Sequence, residues 1–299
     1  MNDPIEEQES HLLDADLDRL IRRAVEEDLG PDRHDATSAC LIDPARRSAA
    51  RFVARSAGRL CGAALLPDLA GAYDPAIELE VRATDGAVLS PGTVIATMTG
   101  SLRSVLAAER IALNFMTHLS GIATMTARFV EAVADTHARI CDTRKTIPGL
   151  RALQKYAVVC GGGENHRIGL YDAVLVKDNH LAHIPRDRLE SELTAAIERA
   201  RSATPAPSFV EVEVDDLDQF ERVLGCSPDR VLLDNMPPAT MRQAVQMRDR
   251  LAPNVQLEAS GGIDLSTVAE VARAGVDLIS VGALTHSAPA LDLALDVAS

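Results

Sequence analysis

The sequence predicts an α/β protein whose second half is built on a parallel sheet. Three observations carry this expectation. From about residue 137 the chain repeats a short apolar run, a polar turn and an amphipathic stretch; residues 49–100 show short apolar runs cut by Gly and Pro; and residues 101–134 keep helical spacing between them. A regular strand–helix beat joins strands in parallel under covering helices, either as a doubly wound sheet or closed into a barrel.

Taken in order, Asp14 to Asp28 carries Leu17, Leu20, Ile21, Ala24 and Val25 at i, i+3, i+4 spacing, and Leu29-Gly30-Pro31 ends this first helix. RFVARSAGRLCG and VLSPGTVIATMTG read as strands and tight turns. From Ser101 to Ala134, Leu102, Val105, Leu106, Leu113 and Met116 mark a helix that Ser120-Gly121 is expected to interrupt or kink. Beyond it, strands are expected at 138–142, 173–177, 209–214, 230–234, 255–259 and 278–282. Helices are expected at Leu150–Val159, Arg188–Ala203, Leu217–Leu224, Pro238–Leu251 and Ser266–Ala274. Six strands fall short of a complete eight-stranded barrel.

The 299 residues allow one large domain or two ordinary ones. Lys and Arg number 30 against 44 Asp and Glu, a net charge of −14, which argues against nucleic-acid and anionic-membrane partners. Any anion must therefore meet a local basic cluster. Aromatics at 3% are too sparse for base-stacking platforms. The five cysteines are spread out with no Cys-x-x-Cys pair and read as reduced thiols. MNDPIEEQES is acidic where a signal peptide begins basic, and no apolar run approaches the ~20 residues of a membrane span, so a cytoplasmic location is expected.

Reactive groups of parallel βα proteins collect at the carboxyl ends of strands. Here those ends read Asp142-Thr143-Arg144-Lys145, Lys177-Asp178-Asn179-His180, Glu211-Val212-Glu213, Asp234-Asn235, Ser260-Gly261-Gly262 and Gly282 with His286 beyond. Turns are commonly polar, so any one of these is weak evidence; six together are not. In the run 209–214 the valines take the helix-covered side, which points Glu211 and Glu213 inward, where a buried charge demands a partner. Glu213 and Asp234 are therefore candidates for ribose hydroxyls or a hydrated Mg²⁺. Residues 139–177 hold seven basic residues against three acidic ones, the natural anion site. Within them Gly161-Gly162-Gly163 is either a flexible ligand turn or a plain helix stop. The glycine turns at 260–262 and 282 suit a phosphate, with a following helix N-terminus adding a favourable dipole.

The blocks ERIALNFMTHLSGIAT, DTRKTIPGLRALQKYAV, GGGENHRIGLYDAVLVKDNH, EVEVD, LLDN, EASGGI and SVGALTHS together resemble the quinolinate phosphoribosyltransferase family. The resemblance implies an N-terminal α/β sandwich domain, residues 1–117 joined by the C-terminal segment 287–299, plus an incomplete six-stranded (β/α) barrel over 118–286. It implies transfer of phosphoribosyl from phosphoribosyl pyrophosphate to quinolinate with decarboxylation, Mg²⁺ as cofactor, and a homodimer, with a hexamer of dimers left open. Carried over by motif, Arg144, His166, Arg167 and Lys177 would hold the two carboxylates, and Arg110 would reach in from the partner subunit. Thr143 and Lys145 would lie close by, Lys145 toward the phosphoribosyl donor. Glu213 and Asp234 would engage ribose hydroxyls and Mg²⁺-bound pyrophosphate, contacting the metal through water. Ser260, Gly261, Gly262, Gly282, Ala283 and His286 would line the 5-phosphate pocket. Lys145, Lys177, Glu213 and Asp234 form the expected catalytic set. The turn DLGPDRHDATS departs from the family's wording but keeps Asp35 and Thr37. Three rivals remain at this point: a paralogue acting on nicotinate without decarboxylation, a Schiff-base aldolase using Lys177, and a binding protein without turnover.

Overall fold

The computed structural model describes residues 15–182, 184, 185 and 187–298. The acidic stretch at 1–14, on which the expected lack of a signal peptide rests, lies outside the described residues. The chain forms two compact units. The first takes the described residues up to Ala127, Ala152–Gly162 and the segment from Ser287; the second takes Arg128–Arg151 and Gly163–His286.

The first unit is built on an antiparallel sheet. In chain order its strands are β1 (Arg47–Ala54), β3 (Glu78–Val81), β5 (Val94–Ser101) and, from the C-terminal segment, β12 (Leu293–Val297), paired β12-β1-β5-β3. A small pair, β2 (Gly58–Arg59) and β4 (Val88–Leu89), stands apart. The first helix, Ala15–Leu29, buries Ile21 and Val25 on the face the spacing marked. Asp35 in the unusual turn caps the helix Ala36–Leu41, its Oδ1 accepting from the N–H groups of Thr37 and Ser38 at 3.0 and 3.1 Å.

One expectation is corrected here. The helix Leu102–Ala132 runs unbroken through Ser120-Gly121. The pair is small for packing: Ser120 Oγ accepts from the Cys61 N–H at 2.9 Å and donates to the Cys61 carbonyl at 3.1 Å, and a Cβ on Gly121 would lie 2.2 Å from the Pro289 carbonyl oxygen. This helix spans the boundary expected at 117/118, and the first unit's share of it ends at Ala127. Most of the next helix, Arg151–Cys160, belongs to the first unit, where Tyr156 donates to buried Asp85 at 3.0 Å.

The second unit holds the six expected strands: β6 (Arg139–Cys141), β7 (Val174–Val176), β8 (Val210–Val214), β9 (Arg230–Asp234), β10 (Gln256–Ser260) and β11 (Leu278–Ser280). All pair in parallel in the order β6-β11-β10-β9-β8-β7. Sequence neighbours are spatial neighbours from β7 to β11, and β6 closes on β11; this is barrel order with an open seam between β6 and β7. Glu164 lies in that seam, donating to the Ile140 carbonyl at 2.8 Å and accepting from the Asp142 N–H at 3.2 Å. Helices Leu189–Arg201, Leu217–Gly225, Pro238–Leu251 and Val268–Ala272 follow the strands as expected. Every residue of β8 is buried, glutamates included, as two-sided covering of a parallel strand requires. All five cysteines are free thiols, and no helix of the described residues is long and apolar enough to cross a membrane.

Candidate active site

The carboxyl ends of the second unit's strands surround a cavity of about 510 Å³, within the range of small-molecule sites. Its cations flank the open seam. Arg144 and Lys145 follow β6, Arg167 comes from the seam segment, and Lys177 follows β7; all four line the cavity. Arg167 is buried, donates to the Ala173 carbonyl at 3.3 Å, and has its pKa lowered by burial and by the neighbouring Arg144 charge. Two guanidinium groups held this close favour an anion between them.

The carboxylates stand on the next strands. Glu213 of β8 is ion-paired directly with the Lys177 ammonium, so two expected site residues hold one another. Asp234 ends β9, and one of its oxygens, Oδ2, accepts from the Asn235 amide at 2.7 Å. Ser260 at the end of β10 and Gly261 and Gly262 after it also line the cavity, the glycines with φ of +97° and +61°. Gly282 lies against the Lys145 stem and His286: a Cβ there would be 3.0 Å from Lys145 Cδ and 3.3 Å from His286 Nε2. Ala283 opens the short helix Ala283–His286, and Thr285 in it donates to the Lys145 carbonyl at 2.7 Å.

Beneath them sits a buried ionic cluster. His166 Nε2 is 2.9 Å from Glu211 Oε2 and 3.1 Å from Glu258 Oε2, while the His166 backbone N–H donates to Asp142 at 3.0 Å. Burial works against the imidazolium, but the two glutamates outweigh it and raise its pKa to about 9. Burial and the Glu258 charge push Glu211 up to about 7 despite His166. Burial would raise Glu258 too, yet its bonds to His166 and Ser280 bring it below its ordinary value.

Of the expected residues, Thr143, Arg144, Lys145, His166, Arg167, Lys177, Glu213, Asp234, Ser260, Gly261 and Gly262 meet at this cavity. Arg110 is exposed on the long helix of the first unit and does not line it. Gly282, Ala283 and His286 do not line it either, although Gly282 and His286 flank Lys145. In the turn that follows 260–262, Asp264 accepts from the N–H groups of Ser266 and Thr267 at 2.8 and 3.1 Å, ahead of the helix Val268–Ala272. The triple glycine is the helix stop: Gly162, with φ of +86°, closes on the Val159 carbonyl. Glu258 and Ser280 line the cavity without having been singled out from the sequence, and Asp142 and Asn235, named there only among the strand ends, line it too. Leu257-Glu258-Ala259 alternates as Val210–Val214 does, and that was the signal for Glu258.

Residues 35–120 match the N-terminal domain of quinolinate phosphoribosyl transferase, and residues 122–296 match its C-terminal domain. The chain belongs to the quinolinate phosphoribosyltransferase family. It is 44% identical over 280 residues to the nicotinate-nucleotide pyrophosphorylase [carboxylating] of Mycobacterium leprae, covering 93% of this chain and 95% of that protein. A probable enzyme of the same name from Bacillus subtilis is 38% identical, covering 94% and 93%. Among solved structures, the nicotinate-nucleotide pyrophosphorylase of Francisella tularensis superposes with a TM-score of 0.86 at 36% identity, covering 95% of this chain and 96% of that one. Human nicotinic acid phosphoribosyltransferase, at 14% identity and a TM-score of 0.59, shares the fold alone.

Proposed function

We propose that this family member joins quinolinate to phosphoribosyl pyrophosphate and releases pyrophosphate, CO₂ and nicotinate mononucleotide, as a pentosyltransferase of NAD biosynthesis. The observation that carries this reading is the division of one cavity into a cationic seam, with Arg144, Arg167 and Lys177, and carboxylates on the adjoining strands, Glu213 and Asp234. A dicarboxylate fits the first part. A ribose developing positive charge fits the second.

Each residue then has a role. Arg144, Arg167 and Lys177 hold the two pyridine carboxylates, with His166 anchored beneath, and orient the ring nitrogen toward the anomeric carbon, which removes much of the entropic barrier. Glu213 and Asp234 stabilise the oxocarbenium character that appears as pyrophosphate leaves, and Lys145 faces the departing anion. Ser260 and the glycine turns receive the 5-phosphate. Glu213 and Asp234 also fit Mg²⁺, since each is an oxygen donor with one carboxylate oxygen outside its bond to Lys177 or Asn235. When bound, the cation neutralises charge on pyrophosphate. Alkylation of the ring nitrogen makes the ring an electron sink, so the adjacent carboxylate departs as CO₂ and a proton replaces it.

A homodimer completes the site. Ile147, Ile168, Leu170 and Tyr171 are exposed beside the mouth, where Arg151 ties their segments by bonds of 3.1 Å to Thr146 and to the Ile168 carbonyl. Exposed large apolar side chains of this kind suit a second subunit, and the exposed Arg110, 3.9 Å from the neighbouring Glu109 carboxylate, would serve the partner's cavity. Five free thiols fit the reducing cytoplasm. The test is incubation of purified protein with Mg²⁺, phosphoribosyl pyrophosphate and carboxyl-labelled quinolinate. Stoichiometric labelled CO₂ and nicotinate mononucleotide are expected; turnover of nicotinate in place of quinolinate would overturn the reading.

A further inference from the structure

We infer that Asn235 is a positioning residue that fixes the Asp234 carboxylate for the phosphoribosyl donor. The inference rests on the reading above that Asp234 serves the donor, and deepens it. Among the described residues, Arg33, Ser227 and Asn235 are the non-glycine residues with positive φ, and Asn235 is the one that lines the cavity. Its φ of +53° is a left-handed conformation that an L-residue holds at a cost, with Asn among the side chains that tolerate it best.

Three contacts hold it there. The Asn235 backbone N–H donates to the Ser260 carbonyl at 2.9 Å, tying the end of β9 to the end of β10. The side-chain oxygen fills the space that Gly261 leaves: a Cβ on Gly261 would lie 2.1 Å from Asn235 Oδ1 and 2.6 Å from its Cγ. The amide nitrogen donates to Asp234 Oδ2 at 2.7 Å. The direction of the amide follows from chemistry, because the oxygen turned toward a carboxylate would repel it and the NH₂ group donates to it.

The consequence is rotational. A terminal carboxylate turns in a broad, roughly two-fold well, and an aspartate at a strand end has little packing to select one orientation. A charge-assisted bond to one oxygen selects it and leaves Oδ1 for a ribose hydroxyl or a hydrated cation. The left-handed backbone brings the amide back beside the preceding side chain, and the side-chain-free Gly261 gives it room. Gly261 thus has a second reason to be glycine besides approach to a phosphate.

Asn235→Gly is the decisive variant, since glycine adopts this φ without strain and only the amide is lost. Expected are an unlowered Tm, a loss of kcat/KM for phosphoribosyl pyrophosphate of about tenfold or more, and a quinolinate Kd by calorimetry within about twofold of the parent. A crystal structure of the variant should show the Asp234 carboxylate rotated. Asn235→Asp, which sets a second carboxylate against the first, should lose more than Asn235→Gly. Asp234→Asn is measured alongside. If Asp234→Asn impairs the donor step while Asn235→Gly behaves as the parent, the positioning role is overturned and the reading of Asp234 stands. If both behave as the parent, the reading of Asp234 itself fails. A loss spread equally over both substrates, or a lowered Tm, would make Asn235 structural and overturn the inference.

Discussion

His166 shares its Nε2 between Glu211 and Glu258, and that arrangement is measurable at a single nucleus. Its pKa, raised to about 9 from an ordinary 6.5, means the folded state binds the proton more tightly than the unfolded chain. The resulting stability is complete below pH 6.5 and is lost as pH rises through about 9; at roughly 1.4 kcal/mol per tenfold change it amounts to about 3 kcal/mol. Glu211, raised to about 7, acts in the same direction, with its contribution present below 4.5 and lost as pH rises through 7. An NMR titration should therefore place the His166 midpoint near 9, and Glu258→Gln should lower it by removing one of two flanking charges; a midpoint at or below 6.5 would refute the buried imidazolium. The residues of this cluster show where sequence stops. The inward direction of Glu211 followed from its alternation with Val210 and Val212 in a sheet expected to be covered by helices. That Glu258, two strands away, faces the same imidazole depends on the registers Val212↔Val231 and Leu257↔Val231, which no local pattern contains.

Gly121 makes the corresponding point for an element. Helix propensity alone says that Gly→Ala in the middle of a helix stabilises by roughly 1 kcal/mol. Here the added methyl would meet the Pro289 carbonyl oxygen at 2.2 Å and its carbon at 3.0 Å, atoms of backbone that cannot rotate away. Gly121→Ala should accordingly destabilise, by about 1–3 kcal/mol as overpacked sites do, with a lowered urea midpoint as the reading; an unchanged or raised midpoint would show that the 287–291 segment yields readily. The strands and most helices beyond residue 137 were legible because their apolar periods are local. The Ser120-Gly121 pair was expected to interrupt or kink the helix because the same two residues serve either a break or a close approach, and only the returning C-terminal segment distinguishes them. The triple glycine was undecided for a similar reason: its role as a helix stop appears in the φ of Gly162 and the bond to Val159, not in its composition.

For the whole molecule, charge sets the logic. A chain of net −14 that handles two polyanions must gather its cations, and four of them flank one barrel seam while Arg110 stands exposed elsewhere. If Arg110 completes the partner's cavity in a homodimer, each site draws on two chains, and defects in different parts can be separated. Arg110→Ala and Lys177→Ala homodimers should each be nearly inactive. When they are unfolded together and refolded as a mixture, about half of the dimers are heterodimers if subunits associate at random. One of the two cavities in each heterodimer then has its own Lys177 and the partner's Arg110, while the other lacks both, so about a quarter of the parent activity should return. Recovery depends on assembly and should vanish when exposed Leu170 and Tyr171 are both replaced by Asp and the protein sediments as a monomer. Heterodimers confirmed by mass spectrometry that recover no activity would remove Arg110 from the shared site, because no arrangement with a cross-subunit arginine leaves both cavities of a heterodimer incomplete.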